Sequence, residues 1–237
     1  MAQPYSARSR AIEPFHVMAL LARANELQAA GHDVIHLEIG EPDFTTAAPI
    51  VEAGQAALAA GHTRYTAARG LPALREAIAG FYGQRYGLNI DPQRILITPG
   101  GSGALLLASS LLVDPGKHWL LADPGYPCNR HFLRLVEGGA QLVPVGPEVN
   151  YQLNADLVER YWDHDSVGAL VASPANPTGT VLDREALAGL SRATRAHNGH
   201  LVVDEIYHGL TYGMDAPSAL EVATRHSSLI VSQNISA

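Results

Sequence analysis

Two patterns of hydrophobic and polar positions alternate along the chain. Short apolar runs rich in branched residues are typical of strands buried on both faces, and longer stretches with apolar residues at helical spacing are typical of helices. The short runs predict strands at 34–39, 94–98, 119–122, 141–145, 167–172, 201–203 and 228–232. The longer stretches predict helices at 14–31, at about 48–60 and 71–86, and at 104–113, 128–137 and roughly 183–197.

This order of elements predicts an α/β fold. Strands that alternate with helices favour a mostly parallel sheet with helices on both faces. Residues 1–13 are polar and predict an irregular arm. No repeat, low-complexity tract or linker interrupts the pattern.

Composition narrows the class of protein. Of 237 residues, 47% are hydrophobic and 16% charged, which is enough apolar material for a large core. The net charge of −7 without a basic run argues against a nucleic-acid partner. A single cysteine, Cys128, fits a reducing compartment. The first fifteen residues lack an apolar signal core and no apolar run is long enough to span a bilayer, so we expect a soluble cytoplasmic protein without a membrane partner.

Residues 201–207 have the sequence Leu-Val-Val-Asp-Glu-Ile-Tyr and are the centre of the interpretation. The apolar start predicts a buried strand, which would deliver the Asp204 carboxylate and the Tyr207 phenol at its carboxyl end. In open α/β sheets, ligands bind outside the carboxyl ends of the strands. Taken alone, the stretch is more simply a helix N-cap aspartate followed by a packed tyrosine.

A glycine-rich turn, Gly100-Gly101-Ser102-Gly103, follows another predicted strand and opens a helix. Glycines allow an anion to approach the backbone, and the helix N-terminus offers free N–H groups to a phosphate. Neither the dinucleotide fingerprint nor a P-loop lysine is present. By itself the turn is more simply an ordinary tight connection.

Two further side chains follow predicted strands. Tyr126, in Asp-Pro-Gly-Tyr-Pro, could stack on a flat ring, although a packing role is at least as good an interpretation in isolation. Asn176, in Asn-Pro-Thr-Gly, is held by stiff neighbours and offers an amide donor and acceptor, although an Asx turn is the simpler alternative. Together with the carboxylate, the phenol and the turn, these groups suit a phosphorylated heterocycle with a hydroxyl and a basic ring nitrogen. Pyridoxal phosphate is such a molecule. A carboxylate beside its ring nitrogen would keep that nitrogen protonated, and the protonated ring is a strong electron acceptor.

With these motifs in place, the sequence from about residue 14 onward resembles the class I/II pyridoxal-phosphate-dependent aminotransferases of fold type I. The motifs that carry the resemblance are 38–44 (Glu-Ile-Gly-Glu-Pro-Asp-Phe), 64–66 (Arg-Tyr-Thr), 100–104, 123–127, 176–179 and 204–207. The resemblance implies that the cofactor is bound by Asp204 at the ring nitrogen, Tyr207 and Asn176 at the ring hydroxyl, Tyr126 on the ring face, and Gly101, Ser102, Gly103 and Ser236 at the phosphate. It also implies that Tyr65 reaches the cofactor of a neighbouring subunit in a homodimer, and that Gly40 lies near the substrate carboxylate.

The resemblance further implies transfer of an amino group from an amino acid to a 2-oxo acid. Residues 1–45 would form an arm, a helix and an interface segment, and residues 46–237 an incomplete large domain, with the small C-terminal domain missing. The family's Schiff-base lysine is expected at the position of Ala237, and Lys117, the one lysine of the sequence, lies elsewhere. A fragment, a sequence interrupted at a modified lysine and a natural truncation all explain this departure.

Two other functions remain open at this point. A non-catalytic cofactor-binding or dimerisation module would account for the missing lysine. A lyase or synthase on the same scaffold would use the same cofactor groups. No His-Glu-x-x-His spacing is present, so no metal site is expected.

Overall fold

The computed structural model describes residues 5–40, 44–223 and 229–233. Three short 3₁₀-helices lie at Pro92–Arg94, Pro147–Val149 and Ala219–Val222. The strands are β1 (His118–Asp123), β2 (Gly139–Pro144), β3 (Ser166–Ala172), β4 (His200–Asp204) and β5 (Leu229–Ser232). The α-helices are α1 (Ala7–Arg10), α2 (His16–Ala29), α3 (Ala48–Ala59), α4 (Pro72–Tyr86), α5 (Gly100–Leu112), α6 (Cys128–Leu135), α7 (Ala155–Tyr161) and α8 (Arg184–Ala196).

The strands form one sheet in the order β2-β1-β3-β4-β5, and every described pairing is parallel. Helices separate successive strands because a parallel pair needs a long crossover connection. The predicted α/β fold with a mostly parallel sheet is therefore confirmed. All five strands end at the same edge of the sheet, which is where the candidate chemistry was expected.

Each face of the sheet is covered by its own apolar cluster. One cluster joins side chains such as Leu120, Val171 and Val203 to α7 and α8, and the other joins Trp119 and Leu170 to α5 and α6. Neighbouring residues of one strand point to opposite faces, so the apolar runs serve both clusters. The sheet that carries the candidate site is thus rigidly packed on both sides.

The chain divides into two compact units. One unit comprises residues 1–12 and 69–237 and contains the sheet. The other comprises residues 13–68 and contains α2 and α3, and none of its described residues is buried. The domain division expected at residue 45 concerns roles in a complete enzyme and stays a prediction.

Two strand predictions are wrong. Within the described chain no strand pairs with 34–39, where Ile35 and Leu37 are exposed and His36 instead contacts Glu38 and Gln28 through its ring nitrogens. Residues 95–98 likewise have no described ladder, although the Ile97 N–H bonds to the Arg69 carbonyl. Apolar alternation favours extended backbone, but a strand also needs a hydrogen-bonded neighbour.

Two short helices were not predicted. Helix α1 lies in the segment expected to be irregular, and its start is capped by Ser6, whose side chain accepts from the Ser9 N–H. Helix α7 begins after Asn154, whose side chain accepts from the Leu157 N–H, and it buries Leu157 and Val158. Among the described residues, no helix is both long and apolar enough to cross a membrane.

Candidate active site

The carboxyl ends of β3, β4 and β5 lie side by side. Ala172 pairs with Asp204 in the β3–β4 ladder, and Asp204 pairs with Ser232 in the β4–β5 ladder. The next residues continue this contact, since the Ser173 N–H donates to the Asp204 carbonyl and the Glu205 N–H donates to the Ser232 carbonyl. Register therefore brings three chain segments together around Asp204.

Asp204 is a buried carboxylic acid, with 8% of the residue exposed. The Ile206 N–H donates to its Oδ1 at 3.3 Å, and no described basic side chain forms an ion pair with it. Burial raises the pKa of the Asp204 carboxyl to about 6, although the Ile206 N–H and the nearby Ser232 side chain oppose this shift. A positively charged group placed beside Asp204 would favour its ionised form.

Asn176 and Tyr207 meet across the strand ends. The Asn176 Nδ2 donates to the Tyr207 hydroxyl at 3.1 Å. Asn176 follows β3 and Tyr207 follows β4, which are neighbouring strands in the sheet. The pair thus presents one amide and one phenol, both able to hydrogen-bond a ligand oxygen.

Tyr126 follows β1 and lies half-buried in the same region. Burial raises the pKa of the Tyr126 phenol, and the Cys128 thiol, Tyr207 and Asp204 raise it further. These electrostatic contributions mean that Tyr126 is a neighbour of both Tyr207 and Asp204. The phenol remains protonated at neutral pH.

The glycine-rich turn lies next to the end of β4. A Cβ on Gly101 would stand 3.8 Å from both Ile206 Cδ1 and Ser232 Oγ, whereas a Cβ on Gly103 would press on Pro99 at 3.1 Å. Gly100 has a φ of +73°, which favours glycine. No side chain caps α5, whose first turn includes Gly101, Ser102 and Gly103, so these N–H groups are well placed for an anion.

A cavity of about 260 Å³ opens next to this group of residues. It is lined by the ends of β1 and β3, by the segment that includes Tyr126 and Asn129, and by Asn176. Asp204 and the glycine-rich turn are not in its lining. The cavity is therefore lined by the part of the sheet formed by β1, β2 and β3, and the carboxylate and the turn do not contribute to it.

The remaining predicted residues are not part of the group described above. Gly40 and Tyr65 belong to the unit of residues 13–68, and Tyr65 is fully exposed. Ser236 and Ala237 lie outside the described residues. Lys117 precedes β1, at the opposite edge of the sheet, where its Nζ donates to Asp165 Oδ1 at 2.8 Å. Lys117 is therefore unable to reach the residues around Asp204.

Sequence reasoning missed three residues of this region. Ser232 pairs with Asp204, and its buried hydroxyl lies close enough to the Asp204 carboxyl to lower the pKa of that group. The Ile206 side chain faces Gly101, and Glu205 is completely buried. Of the three, only Glu205 could have been noticed from the sequence. It directly follows a strand-end aspartate, and an acid that is buried in such a position needs hydrogen-bond partners.

The fold and this group of residues define an α/β protein with a candidate ligand site at the carboxyl edge of a parallel sheet. The family model described as "Aminotransferase class I and II" matches residues 32–236. The chain belongs to the class I and II aminotransferase family, whose members use pyridoxal phosphate.

Individual relatives agree with this assignment. The valine–pyruvate aminotransferase of Mycobacterium tuberculosis is 38% identical over 201 residues, covering 85% of this chain and 52% of the relative. The aspartate/prephenate aminotransferase of Thermus thermophilus is 35% identical over 222 residues, covering 94% of this chain and 58% of the relative.

Solved structures give the same result. A crystal structure of an aminotransferase from Mycobacterium tuberculosis superposes with a TM-score of 0.92 at 34% identity, covering 99% of this chain and 60% of that one. Aspartate aminotransferase from Thermus thermophilus with maleate gives a TM-score of 0.92 at 33% identity, covering 99% and 61%. The chain spans about half the length of the curated relatives that it matches.

Proposed function

We propose that the whole protein is an aminotransferase that uses pyridoxal phosphate to move an amino group from an amino acid to a 2-oxo acid. The observation that carries the proposal is the buried Asp204 carboxyl, which has no described cationic partner and is flanked by the Asn176–Tyr207 pair. The family assignment supports it independently.

The residues present fit this cofactor in charge and in shape. Asp204 supplies a counter-ion for a ring nitrogen, and the Asn176–Tyr207 pair supplies a donor and a hydroxyl for a ring oxygen. The absence of a Cβ at Gly101 leaves room next to Ile206 and Ser232, and the buried Ser232 hydroxyl still has hydrogen-bonding capacity. Ser236 adds a further proposed phosphate contact, and Gly40 a proposed contact to the substrate carboxylate.

Each residue then has a defined task. When bound, pyridoxal phosphate supplies an electron-accepting ring that stabilises negative charge at the substrate's α-carbon. Asp204 keeps the ring nitrogen protonated, because a nearby opposite charge favours the charged form. Asn176 and Tyr207 orient the ring, Tyr126 covers one face, and the first turn of α5 holds the phosphate. The lysine expected at the position of Ala237 would take and return the α-proton.

The substrate class follows from the family rather than from a described pocket. One relative is named for valine and pyruvate and another for aspartate and prephenate. Amino acids and 2-oxo acids are common to the reaction class, and we propose both as substrates of this protein.

A homodimer is the proposed assembly. The unit of residues 13–68 has no buried residue in its described part and exposes Ile35, Leu37, Phe44 and Tyr65. Surfaces of this kind favour a protein partner, and a second copy would place Tyr65 at the neighbouring cofactor.

The cytoplasm is the proposed location. The single cysteine, Cys128, forms no disulfide, as is common in that reducing compartment.

Steady-state kinetics test the proposed reaction. The complete protein is assayed with pyridoxal phosphate while an amino acid and a 2-oxo acid are varied together. We expect parallel double-reciprocal lines, because a ping-pong enzyme releases the first 2-oxo acid before it binds the second substrate. Intersecting lines, or loss of ammonia in place of a new amino acid, would contradict amino transfer and favour a lyase or synthase.

A further inference from the structure

Glu205 is a buried acid that the proposed reaction does not use. It directly follows Asp204 and is 0% exposed. The Ala219 N–H donates to its Oε1 at 2.7 Å, and the Ser218 hydroxyl lies 3.1 Å from both carboxylate oxygens. A buried acid is costly unless it is hydrogen-bonded, so this carboxyl binds the segment at 218–219 firmly.

The same carboxyl also faces His208. The His208 Nδ1 lies 3.5 Å from Glu205 Oε2 and 2.7 Å from the Tyr86 hydroxyl. Burial raises the pKa of Glu205 to about 7 and lowers the pKa of His208, so the pair is not a strong ion pair at neutral pH. The close approach of Glu205 and His208 therefore comes from how their chain segments pack, and not from attraction between opposite charges.

Helix α4 connects the contact to the end of β5. The Tyr82 and Tyr86 rings lie 5.4 Å apart on α4, and the Tyr82 hydroxyl donates to Gln233 Oε1. The Glu205 N–H in turn donates to the Ser232 carbonyl at 2.7 Å. Glu205 thus lies where the turn after β4, the 3₁₀-helix at Ala219–Val222 and α4 meet.

We propose that Glu205 is a positioning residue for the cofactor. Its carboxyl fixes the turn at 204–208, and this turn carries Asp204 to the ring nitrogen and Tyr207 to the ring hydroxyl. The proposal rests on the proposed function, because it assigns Glu205 a task at the same site. Glu205 itself touches neither cofactor nor substrate.

A purely structural role is the alternative, and bound cofactor distinguishes the two. Pyridoxal phosphate is achiral, so its circular dichroism in the visible band arises from being held in one orientation. Loss of stability alone would lower the amount of folded protein but leave the dichroism per bound cofactor unchanged. A loosened turn would change that signal and the dissociation constant together.

The experiment compares three variants of the purified protein with pyridoxal phosphate added, below their unfolding temperatures. Glu205→Ala is expected to raise the Kd for the cofactor about tenfold, the effect of losing one or two hydrogen bonds that hold a site, and to reduce the dichroism per bound cofactor. Glu205→Gln keeps an acceptor for Ser218 and Ala219 and is expected to stay within about threefold of wild type.

Glu221→Ala is the matched control. Glu221 accepts from the Ser218 N–H at 2.9 Å and from Arg184 Nε at 2.9 Å, so its loss weakens the same 3₁₀-helix and removes no hydrogen bond made by the turn at 204–208. We expect a lower unfolding temperature with unchanged cofactor dichroism.

Each other outcome has a defined meaning. Wild-type affinity and dichroism in Glu205→Ala, or an equal loss in Glu221→Ala, would overturn the positioning role. Should Glu205→Ala fail to fold, Ser218→Ala removes one donor and keeps the carboxyl, and unchanged dichroism there overturns the proposal. Absence of cofactor binding by the wild-type protein would instead reject the proposed function, and the positioning role with it.

Discussion

Asp204 is a single residue whose burial costs stability. The Ile206 N–H donates to it at 3.3 Å, and no described basic side chain forms an ion pair with it. A carboxyl in this situation prefers to hold its proton, and its pKa rises from 3.8 to about 6. In the proposed function, the same burial would favour binding of a protonated ring, whose positive charge would stabilise the ionised carboxyl.

Replacement of Asp204 tests whether its buried carboxyl lowers the stability of the protein and also contributes to cofactor binding. Between pH 4 and pH 6 the folded state holds a proton that the unfolded chain has released, so the free energy of unfolding falls as the pH rises. Asp204→Asn removes this loss, and we expect the cofactor-free variant to be about 3 kcal/mol more stable than wild type at pH 8, with the difference disappearing below pH 4. Urea unfolding at several pH values measures the difference.

The exposed residue Asp215 supplies the control, since its side chain is 97% exposed. Asp215→Asn is expected to change stability by less than about 0.5 kcal/mol, with no trend across this pH range. The gain in Asp204→Asn should be accompanied by weaker cofactor binding. A variant that is both more stable and an unimpaired binder would mean that Asp204 does not face the ring nitrogen.

At the scale of elements, the strand-end chemistry could be predicted because each part depends on local sequence. Branched runs such as 167–172 and 201–203 fit a sheet buried on both faces, and the polar residue that follows each run falls at the same edge. The runs at 34–39 and 94–98 look similar locally, yet no described strand lies beside them. Pairing is a property of distant chain segments, and periodicity cannot reveal it.

The same limit explains the missed residues. Ser232 matters because parallel register places it opposite Asp204, and Glu205 matters because Ser218 and Ala219 fold back onto it. Neither contact follows from residues near in sequence. Asn176 and Tyr207, in contrast, were expected at one edge of the sheet because each follows a strand, and the structure brings them into contact. Their common role at a ring hydroxyl stays a prediction.

The start of α5 offers a test at this scale. Gly101→Ala adds a methyl group at an ordinary contact distance of 3.8 Å from Ile206 and Ser232. Alanine is favoured over glycine in a helix by up to about 1 kcal/mol, so stability should stay level or rise. Because the methyl group enters the proposed phosphate position, the Kd for pyridoxal phosphate should rise by about tenfold or more.

Gly54→Ala is the control for this test. Gly54 lies in α3, where an added Cβ meets nothing within 4 Å. It should stabilise the helix by a similar amount with no change in cofactor affinity, measured by thermal unfolding and by titration of cofactor absorbance. Equal affinities of wild type and Gly101→Ala for pyridoxal phosphate would mean that the phosphate does not bind at this turn.

At the scale of the whole molecule, the sheet unit and the unit of residues 13–68 differ in how much they bury. The sheet unit has two apolar clusters, whereas the described part of the other unit exposes large apolar side chains and buries none. Such a unit gains little stability from its own packing and must gain it from contacts with other surfaces. The proposed dimer would provide such contacts.

A mixing experiment tests whether two subunits share each site. If Tyr65 serves the neighbouring subunit's cofactor, Tyr65→Phe and Asp204→Ala damage the same site from different chains. Each homodimer then has two defective sites, whereas a mixed dimer has one site with both defects and one intact site. Random reassociation of equal amounts yields half mixed dimers, so about a quarter of the wild-type sites should be restored.

The two variants are refolded together, and the activity of the mixture measures the fraction of restored sites. In the control, Tyr212→Phe, which changes another exposed tyrosine, replaces Tyr65→Phe. Activity of the mixture no greater than the mean of the two separate variants would mean that each site is built from one chain.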